Sequence, residues 1–402
     1  MTAVGTFLPK VFEEHFETVG FLWSRRRAAL RSPEYVPADV VDLDDTIEAH
    51  LAGLAAAGDD STAILEAELL GDDPLRAFAA AFALLVVGTP DALSRVCEAF
   101  SIAKGPKLDA LRDALAHGPS TPLSPQLTSL ALTANPSVGA AASEALAFRG
   151  VTIAAAEQLE RFIRADEPGA RASAWRSAAY CGLTVPEEWY AAGLGDDDAN
   201  VKRAAFAAAM WNRCPAFYPY ARGLAAEPTP DAIETLSMLA AVAPPEEYRV
   251  VGAVAANPAA GPNRFGVVSS FGHPYFIDFL IKEMENPDPT AAASAGAAFE
   301  KMTGWNTQSV LRKSSSAADE TAAPEAAFLP DPASARKHWA DIASRLYQSR
   351  RIARGFDVSQ AVSREIFDAL DMASRYEYCL RMRLFSGWQG TPLVLERYPQ
   401  RS

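Results

Sequence analysis

Residues that carry recognisable metal or redox chemistry are scarce in this 402-residue sequence. It has five histidines and four cysteines, and no H-x-x-x-H, H-E-x-x-H or C-x-x-C spacing occurs. The cysteines (Cys97, Cys181, Cys214 and Cys379) are scattered over Ala-rich stretches, which is typical of small buried side chains in a reducing compartment. We therefore predict no metal, no cofactor and no disulfide framework.

Long apolar runs and a targeting segment are also missing. The longest apolar run, Ala77–Val87, holds 11 residues, whereas a helix that crosses a bilayer needs about 20. The N-terminus lacks the basic, apolar and small-residue regions of a secretory signal. These features predict a cytoplasmic protein with no membrane partner.

Positive charge is scarce in most of the chain. The net charge is −13 and the sequence pI is about 5.0. A nucleic-acid binder, such as a HEAT-like DNA glycosylase, needs clustered Lys and Arg on its binding face. We therefore predict no nucleic-acid partner, unless the C-terminal arginines form one continuous positive stripe.

Catalytic motifs are absent as well. Ser270 and His273 are close in sequence, but there is no G-x-S-x-G elbow and no acid placed to orient the histidine. His273 and Pro274 instead predict the start of the next helix, with proline in its first turn. The acidic clusters lack the residue order of a calcium loop and are explained by helix capping. The sequence therefore predicts a protein that is not an enzyme.

Helical patterns fill most of the chain, and strand signals are nearly absent. In the stretch Gly195–Glu227, an acidic turn at Asp196–Asp198 precedes a helix with one apolar stripe of mostly small residues, namely Val201, Ala204, Ala205, Ala208 and Ala209. Such a stripe lets a neighbouring helix approach closely. The predicted fold class is all-α.

The same turn-and-helix pattern recurs along the chain. Turns of this kind stand at positions 72, 135, 166, 197, 231 and 288, and the steps 135 to 166 and 166 to 197 are both 31 residues. A fixed period of this size indicates a solenoid of about eight helix pairs. The segments DPLRAFAAAFAL, DDANVKRAAFAAAM and DPTAAASAGAAF resemble the short bacterial class of HEAT-like repeats. An irregular bundle of Ala-rich helices is the alternative.

The composition changes along the chain and predicts four regions. These are an N-terminal helical cap (1–60), a HEAT-like α-solenoid (61–312), a flexible Ser/Ala/Pro/acid-rich linker (313–335) and a basic C-terminal helical module (336–402). Residues 335–402 hold 12 Lys and Arg against 7 Asp and Glu, a net charge of +5 that leaves −18 for the remainder. A basic module could hold an acidic partner, or fold back as a docked cap.

Two sets of residues are candidates for contact with a partner. The aromatic set would line a concave surface, where solenoids bind, and comprises Trp175, Trp189, Tyr190, Trp211 and Tyr218. The alternative is that these rings fill the core between alanines. The basic set comprises Arg345, Arg350, Arg351 and Arg354. His50 lies on an apolar helix face, which indicates a partly buried, hydrogen-bonded histidine.

Three segments of the chain carry a recognisable residue pattern. In the first, the residues of the pattern are Phe21, Leu22, Trp23, Arg25, Arg26, Pro33, Tyr35, Leu43, Asp44, Ile47, Ala49, His50, Gly53 and Leu54. The others are Gly296–Trp305 and Phe328–Gly355. Together these segments resemble an uncharacterised proteobacterial family of HEAT-repeat proteins associated with type VI secretion gene clusters. The chain departs from the family pattern at His338–Trp339, where two tryptophans are expected, and after Ser374, where an Arg-Gln-Arg-rich helix is expected.

The resemblance implies a cytoplasmic adaptor, effector chaperone or immunity-type protein that binds a secretion-system effector or its carrier. The leading hypothesis is thus a non-enzymatic protein-binding scaffold. The alternative is a HEAT-like lyase or modifying enzyme that acts on a ligand in the concave groove. An apolar groove with convergent titratable residues would favour that alternative.

Overall fold

Helices dominate the structure, a computed structural model that describes residues 9–56, 59–119, 123–133, 135–152, 156–313 and 326–398. Among the described residues, 75% are helical and very few are in strands. This confirms the all-α prediction. The α-helices are α1 (Pro9–Ala29), α2 (Pro37–Ala56), α3 (Asp59–Leu70), α4 (Pro74–Val87), α5 (Pro90–Ile102), α6 (Gly105–His117), α7 (Leu123–Thr133), α8 (Pro136–Phe148), α9 (Ala156–Ile163), α10 (Pro168–Cys181), α11 (Glu187–Leu194), α12 (Ala199–Trp211), α13 (Phe217–Ala226), α14 (Ile233–Val242), α15 (Tyr248–Ala256), α16 (Phe265–Phe271), α17 (Ile277–Glu283), α18 (Pro289–Thr303), α19 (Pro332–Leu346), α20 (Arg364–Ala369), α21 (Met372–Phe385) and α22 (Leu393–Glu396).

The shorter elements lie in the second half of the chain. Short 3-10 helices that each begin at proline are Pro230–Ala232, Pro245–Glu247, Pro258–Ala260, Pro262–Arg264 and Pro274–Phe276. Proline suits a first helical position because its fixed φ is preorganised and the missing N–H would have no partner there. The strands are β1 (Gln308–Lys313), β2 (Ala326–Pro330), β3 (Ile352–Ala353) and β4 (Phe356–Asp357).

The chain divides into two compact units. Unit 1 comprises Met1–Leu30, Ala38–Ala216 and Gly390–Ser402, and unit 2 comprises Arg31–Pro37 and Phe217–Gln389. This division differs from the predicted boundaries after residues 60, 312 and 335.

In unit 1, the even-numbered helices from α4 to α12 form a series in which each contacts the next even-numbered helix. Helices α3, α5, α7, α9 and α11 pack against its members. The series is Ala-rich, and from Val138 to Phe148 every residue of α8 is buried. Gly139 permits one close approach, since a Cβ there would lie 3.0 Å from the Phe162 ring. Small side chains therefore set the spacing between the layers.

The predicted acidic turns act as helix caps. The side chains of Asp73, Asp198 and Asp288 accept hydrogen bonds from backbone N–H groups of the helices that follow, and Asn135 does the same for α8. The N-cap of α10 is Glu167, which makes no such bond. The caps satisfy N–H groups that have no partner within the helix, so turn chemistry defines where most of these helices begin.

The predicted N-terminal cap contributes to the core of unit 1. Phe12, Phe16 and Trp23 of α1 are buried in the same apolar cluster as Phe78 and Phe82 of α4. The Trp23 and Phe78 rings stack with centroids 4.6 Å apart. Residues 1–60 therefore do not form a region with a core of its own where the structure describes them.

Unit 2 repeats the alternating arrangement. Helices α14, α16 and α18 contact each other in order, and α13, α15 and α17 pack against them. Its core includes Phe265, Phe299, Trp339, Leu346 and Ile352. The last three come from the predicted C-terminal module, so residues of that region contribute to this core.

Part of the predicted linker has regular structure. Strand β1 pairs antiparallel with β2, and α19 begins two residues after β2 ends. Residues 314–325 of the predicted linker lie outside the described residues. A second strand pair, β3 with β4, turns at Arg354 and Gly355, whose φ values of 50° and 76° suit a two-residue hairpin turn.

Candidate functional site

Three of the five candidate aromatic residues are core residues. Trp175, Tyr190 and Trp211 are each at most 1% exposed. The Trp175 and Tyr190 ring centroids are 5.0 Å apart, and the Tyr190 hydroxyl accepts a hydrogen bond of 2.9 Å from Asn212 Nδ2. Burial raises the pKa of Tyr190 to about 12. These side chains offer no surface to a partner, whereas Trp189 is half-buried.

Beside this core, unit 1 contains a buried charge cluster across three successive helices of its series. Arg112 of α6 and Arg176 of α10 both pair with Glu144 of α8, at 3.3 Å and 2.6 Å. Arg112 also pairs with Asp109 and Asp113. Burial opposes ionisation of Glu144, but the two arginines outweigh it and lower its pKa. The cluster ties α6, α8 and α10 together.

The four candidate arginines have different environments. Arg345 and Arg350 are exposed, Arg354 is half-buried and Arg351 is buried. Exposed Tyr347 lies between the first two in sequence. We name Arg345, Tyr347 and Arg350 the basic surface. Because Arg351 and Arg381 both point into the core, the C-terminal arginines do not all face solvent in the part of the chain that the structure describes.

Arg351 is instead bonded to the ends of two helices. Its guanidinium donates to the carbonyls of Ala240 and Ala243 at the end of α14, and to those of Ser270 and Phe271 at the end of α16. Burial lowers the pKa of Arg351 to about 9. Cations are favourable at helix C-termini, where carbonyls have no partner within the helix. This arginine therefore positions helices and is not available to a partner.

Tyr218, the remaining candidate, lies at an apolar cleft in unit 2. The cleft has about 470 Å³ of space, part of it open to solvent, between α13, α14, α15 and α16. Its lining is apolar except at one edge, and comprises Tyr218, Arg222, Ala225, Leu236, Leu239, Ala240, Ala243, Pro244, Glu247, Val250, Val251, Val254 and Val267. Small-molecule sites have linings of this apolar character.

The polar edge of the cleft is formed by three residues. Tyr218 and Arg222 are four residues apart on α13 and so share a helix face, and Arg222 forms an ion pair with Glu247. Burial and the nearby Glu247 raise the pKa of Tyr218, so its hydroxyl keeps its proton at neutral pH. The edge therefore presents two hydrogen-bond donors and one carboxylate that already has a partner.

The floor of this cleft is the end of α14, which arginines hold from within unit 2. Ala240 and Ala243 line the cleft, and their carbonyls accept from Arg351. Arg381 donates to the carbonyl of Ala241 at 3.4 Å. The helix end is thereby fixed before anything binds. Sequence reasoning missed Arg222, Glu247 and this floor, although the Tyr218–Arg222 spacing was a visible signal.

Ser270 and His273 do not form a catalytic pair. The Ser270 hydroxyl donates to Glu377 at 2.6 Å and accepts from the Lys301 ammonium at 3.1 Å. His273 Nδ1 accepts from the backbone N–H of Tyr275 at 3.2 Å, which caps the short helix that begins at Pro274. This confirms the prediction that His273 and Pro274 open the next helical element.

The prediction for His50 is also confirmed. It is half-buried, and its Nδ1 lies 2.8 Å from Nδ1 of His15 in a hydrogen bond that joins α2 to α1. Burial and the neighbouring His15 lower the pKa of His50.

Comparison with known proteins assigns no family to this chain. No protein-family model matches it, and no curated protein shows significant similarity to it. Within the described residues, no cluster of three or more His, Cys, Asp or Glu side chains could hold a metal ion. No helix there is both long and apolar enough to cross a membrane.

Proposed function

We propose that this chain is a non-enzymatic protein-binding scaffold, built as an α-solenoid of short HEAT-like helix pairs. The observation that carries the proposal is the alternating contact pattern, in which the even-numbered helices from α4 to α12 in unit 1 and from α14 to α18 in unit 2 each contact the next even-numbered helix. Stacked pairs of this kind create extended surfaces for partners. The capped turns at Asp73, Asp198 and Asp288 support a repeat at the level of sequence.

The basic surface is the part of unit 2 that we assign to partner contact. Arg345, Tyr347 and Arg350 are exposed within six residues, and Tyr and Arg are enriched among the residues that dominate binding energies. A positive surface favours encounter with an acidic partner. Together with the family resemblance, this supports a cytoplasmic adaptor whose partner is an acidic secretion-system effector or carrier.

The test is affinity capture of the tagged full chain from the cells that produce it. One stoichiometric partner should co-purify with the wild type and be lost with the Arg345→Glu/Arg350→Glu double variant. Arg364→Glu is the matched control, because Arg364 is a 91% exposed side chain of the same unit outside the basic surface. Truncation before α19 would not be informative, since it removes Trp339 and Leu346 from the core.

Two results would contradict the scaffold proposal. One is that no protein co-purifies with any form of the chain. The other is that the control variant loses the partner as completely as the double variant, because the basic surface would then have no specific role.

The second candidate function is a lyase or modifying enzyme, and the apolar cleft with Tyr218 at its edge is the observation that favours it. A tyrosine hydroxyl can donate a proton to a reacting group, but the raised pKa of Tyr218 makes it a weaker acid than an ordinary tyrosine. Native mass spectrometry of the purified chain would identify a retained small molecule. Conversion of that molecule by the wild type but not by Tyr218→Phe would support this candidate, and unchanged conversion by Tyr218→Phe would remove it.

A further inference from the structure

The apolar cleft of unit 2 is a preformed site. The last carbonyls of α14 are held by Arg351 and Arg381, so the floor is ordered without a ligand. A site that is already in its bound shape avoids part of the entropy cost of binding. The cleft therefore has the physical requirements of a binding site and not only the shape of one.

The walls select a hydrocarbon. Leu239 and Val250 are partly exposed in the cleft, and Leu236, Val251 and Val254 are buried behind them. All are aliphatic, and none of these side chains can donate or accept a hydrogen bond. Each methylene group that such walls remove from water adds to the affinity, so an alkyl chain binds more tightly the greater the length it buries.

The polar edge favours a ligand group that is negatively charged and accepts hydrogen bonds. The Arg222 side chain is 65% exposed, and one of its nitrogens, Nη2, donates to Glu247. A guanidinium carries five N–H donors in a planar fork that matches a carboxylate. Tyr218 supplies a further O–H donor one turn away on the same helix. The exposed guanidinium and the Tyr218 hydroxyl are thus the hydrogen-bond donors of the side chains that line this edge.

We propose that the cleft binds an aliphatic monocarboxylate, with the alkyl chain along Leu239, Val250 and Val254 and the carboxylate on Arg222 and Tyr218. The existing Arg222–Glu247 pair does not prevent this, because an exposed ion pair contributes little. Glu247 opposes the ligand carboxylate by charge repulsion. This site is independent of the proposed scaffold function, since it uses none of the residues of the basic surface.

The charges at the edge make the proposal testable with three probes of equal chain length: decanoate, decanol and decylammonium. Isothermal titration calorimetry on the full chain measures affinity and stoichiometry, below the micelle concentration of decanoate and decylammonium and below the solubility limit of decanol. Decanoate should bind one molecule per chain and more tightly than decylammonium. Arg222→Gln should weaken decanoate roughly tenfold, the effect of losing a charge-assisted hydrogen bond, and leave decanol unchanged.

Glu247→Gln should act in the opposite direction and strengthen decanoate, because it removes the opposing charge. Arg249→Gln is the matched control, since Arg249 is an exposed arginine of α15 that does not line the cleft. The affinity of this variant for decanoate should equal that of the wild type. Val250→Asn, at a side chain already 39% exposed, makes the wall polar without adding charge and should weaken decanoate and decanol alike. Circular dichroism would verify that each variant is folded.

Several outcomes would overturn the inference. Absence of saturable binding for all three probes would remove the site. Tighter binding of decylammonium than of decanoate would reverse the assignment of charge. Equal losses in Arg222→Gln and Arg249→Gln would show nonspecific attraction to positive charge. None of these results bears on the capture experiment with the basic surface, so the two proposals fail separately.

Discussion

The two units use the same alternating helix packing but satisfy their buried polar groups differently. In unit 1, Arg112 and Arg176 pair with the side chain of Glu144 on the helix between them. In unit 2, Arg351 donates to backbone carbonyls at the ends of α14 and α16. The first arrangement joins the sides of neighbouring helices, and the second joins their ends. The difference shows that one packing pattern can be stabilised by two kinds of polar contact.

Removing the charge of Glu144 should have the largest effect. Glu144→Gln leaves the buried Arg112 and the half-buried Arg176 with one carboxylate fewer. Breaking a buried ion pair costs about 3–5 kcal/mol, and the solvent access of Arg176 places the expected loss at the lower end of this range. Urea denaturation would measure the loss. Hydrogen exchange should show faster exchange in α6, α8 and α10, with α16 as internal reference. A loss under about 1 kcal/mol would mean that side-chain pairing does not stabilise unit 1.

Acid should reproduce part of that loss. The pKa of Glu144 is lowered in the folded chain from its ordinary value of 4.5. Its stabilising effect is therefore complete above about pH 4.5 and is lost as the pH falls through the lower folded value. The free energy of unfolding of the wild type should decrease more steeply below pH 4.5 than that of Glu144→Gln. Parallel pH curves would contradict this account.

Loss of Arg351 should have the next largest effect, and it should be localised in unit 2. Arg351→Met keeps the aliphatic stem but leaves four buried carbonyls without this donor, at a cost of about 1–3 kcal/mol. Exchange should accelerate at the ends of α14 and α16. Arg351→Lys is the control and should recover part of the stability, because an ammonium can donate to fewer of the four. Equal stability of the Met and Lys variants would exclude the donor role.

Substitution of helix N-cap residues should reduce stability least. Two equivalent caps, Asp198 and Glu167, can be compared directly. Asp198→Ala removes a side chain that accepts from the N–H groups of Asn200 and Val201, which should cost about 1 kcal/mol. Glu167→Ala, at the corresponding position of α10, removes no such bond and should cost close to nothing. Thermal unfolding of the two variants measures the difference. Equal shifts would mean that capping does not distinguish these turns.

Local features of the fold could be predicted from sequence, and distant ones could not. Asp198 caps the helix that begins directly after it, and the two N–H groups that it binds lie within three positions in sequence. The helical period likewise predicted the all-α class. The role of Arg351 could not be predicted in this way, because the carbonyls of Ala240 and Ala243 to which it donates lie more than 100 positions earlier in the chain. No periodicity in the sequence connects them.

Among the residues that line the cleft, only Tyr218 was a candidate from sequence, and it was predicted there as a residue that contacts a protein partner. In sequence, Trp175 and Trp211 look the same whether they line a binding surface or fill the core. They are in the core because Ala-rich helices need large rings to reach native packing density. Burial of a ring depends on which helices meet, and this is a tertiary property. The cleft depends in the same way on α13 and α15 leaving part of α14 uncovered.

The last described residues of the chain belong to the unit in which the chain begins. The Tyr398 hydroxyl donates to the carbonyl of Asp44 at 2.8 Å, and Arg26 donates to the carbonyls of Glu396 and Arg397. Tyr180 bonds the Glu396 carboxylate at 2.9 Å. Since ribosomes deliver the N-terminus first, unit 1 must wait for the whole of unit 2 to be synthesised before its own contacts are complete. The Tyr398 ring also packs on Trp23 and Phe82, with ring centroids 6.0 Å and 5.7 Å apart, so a nascent or prematurely terminated chain would expose apolar surface there.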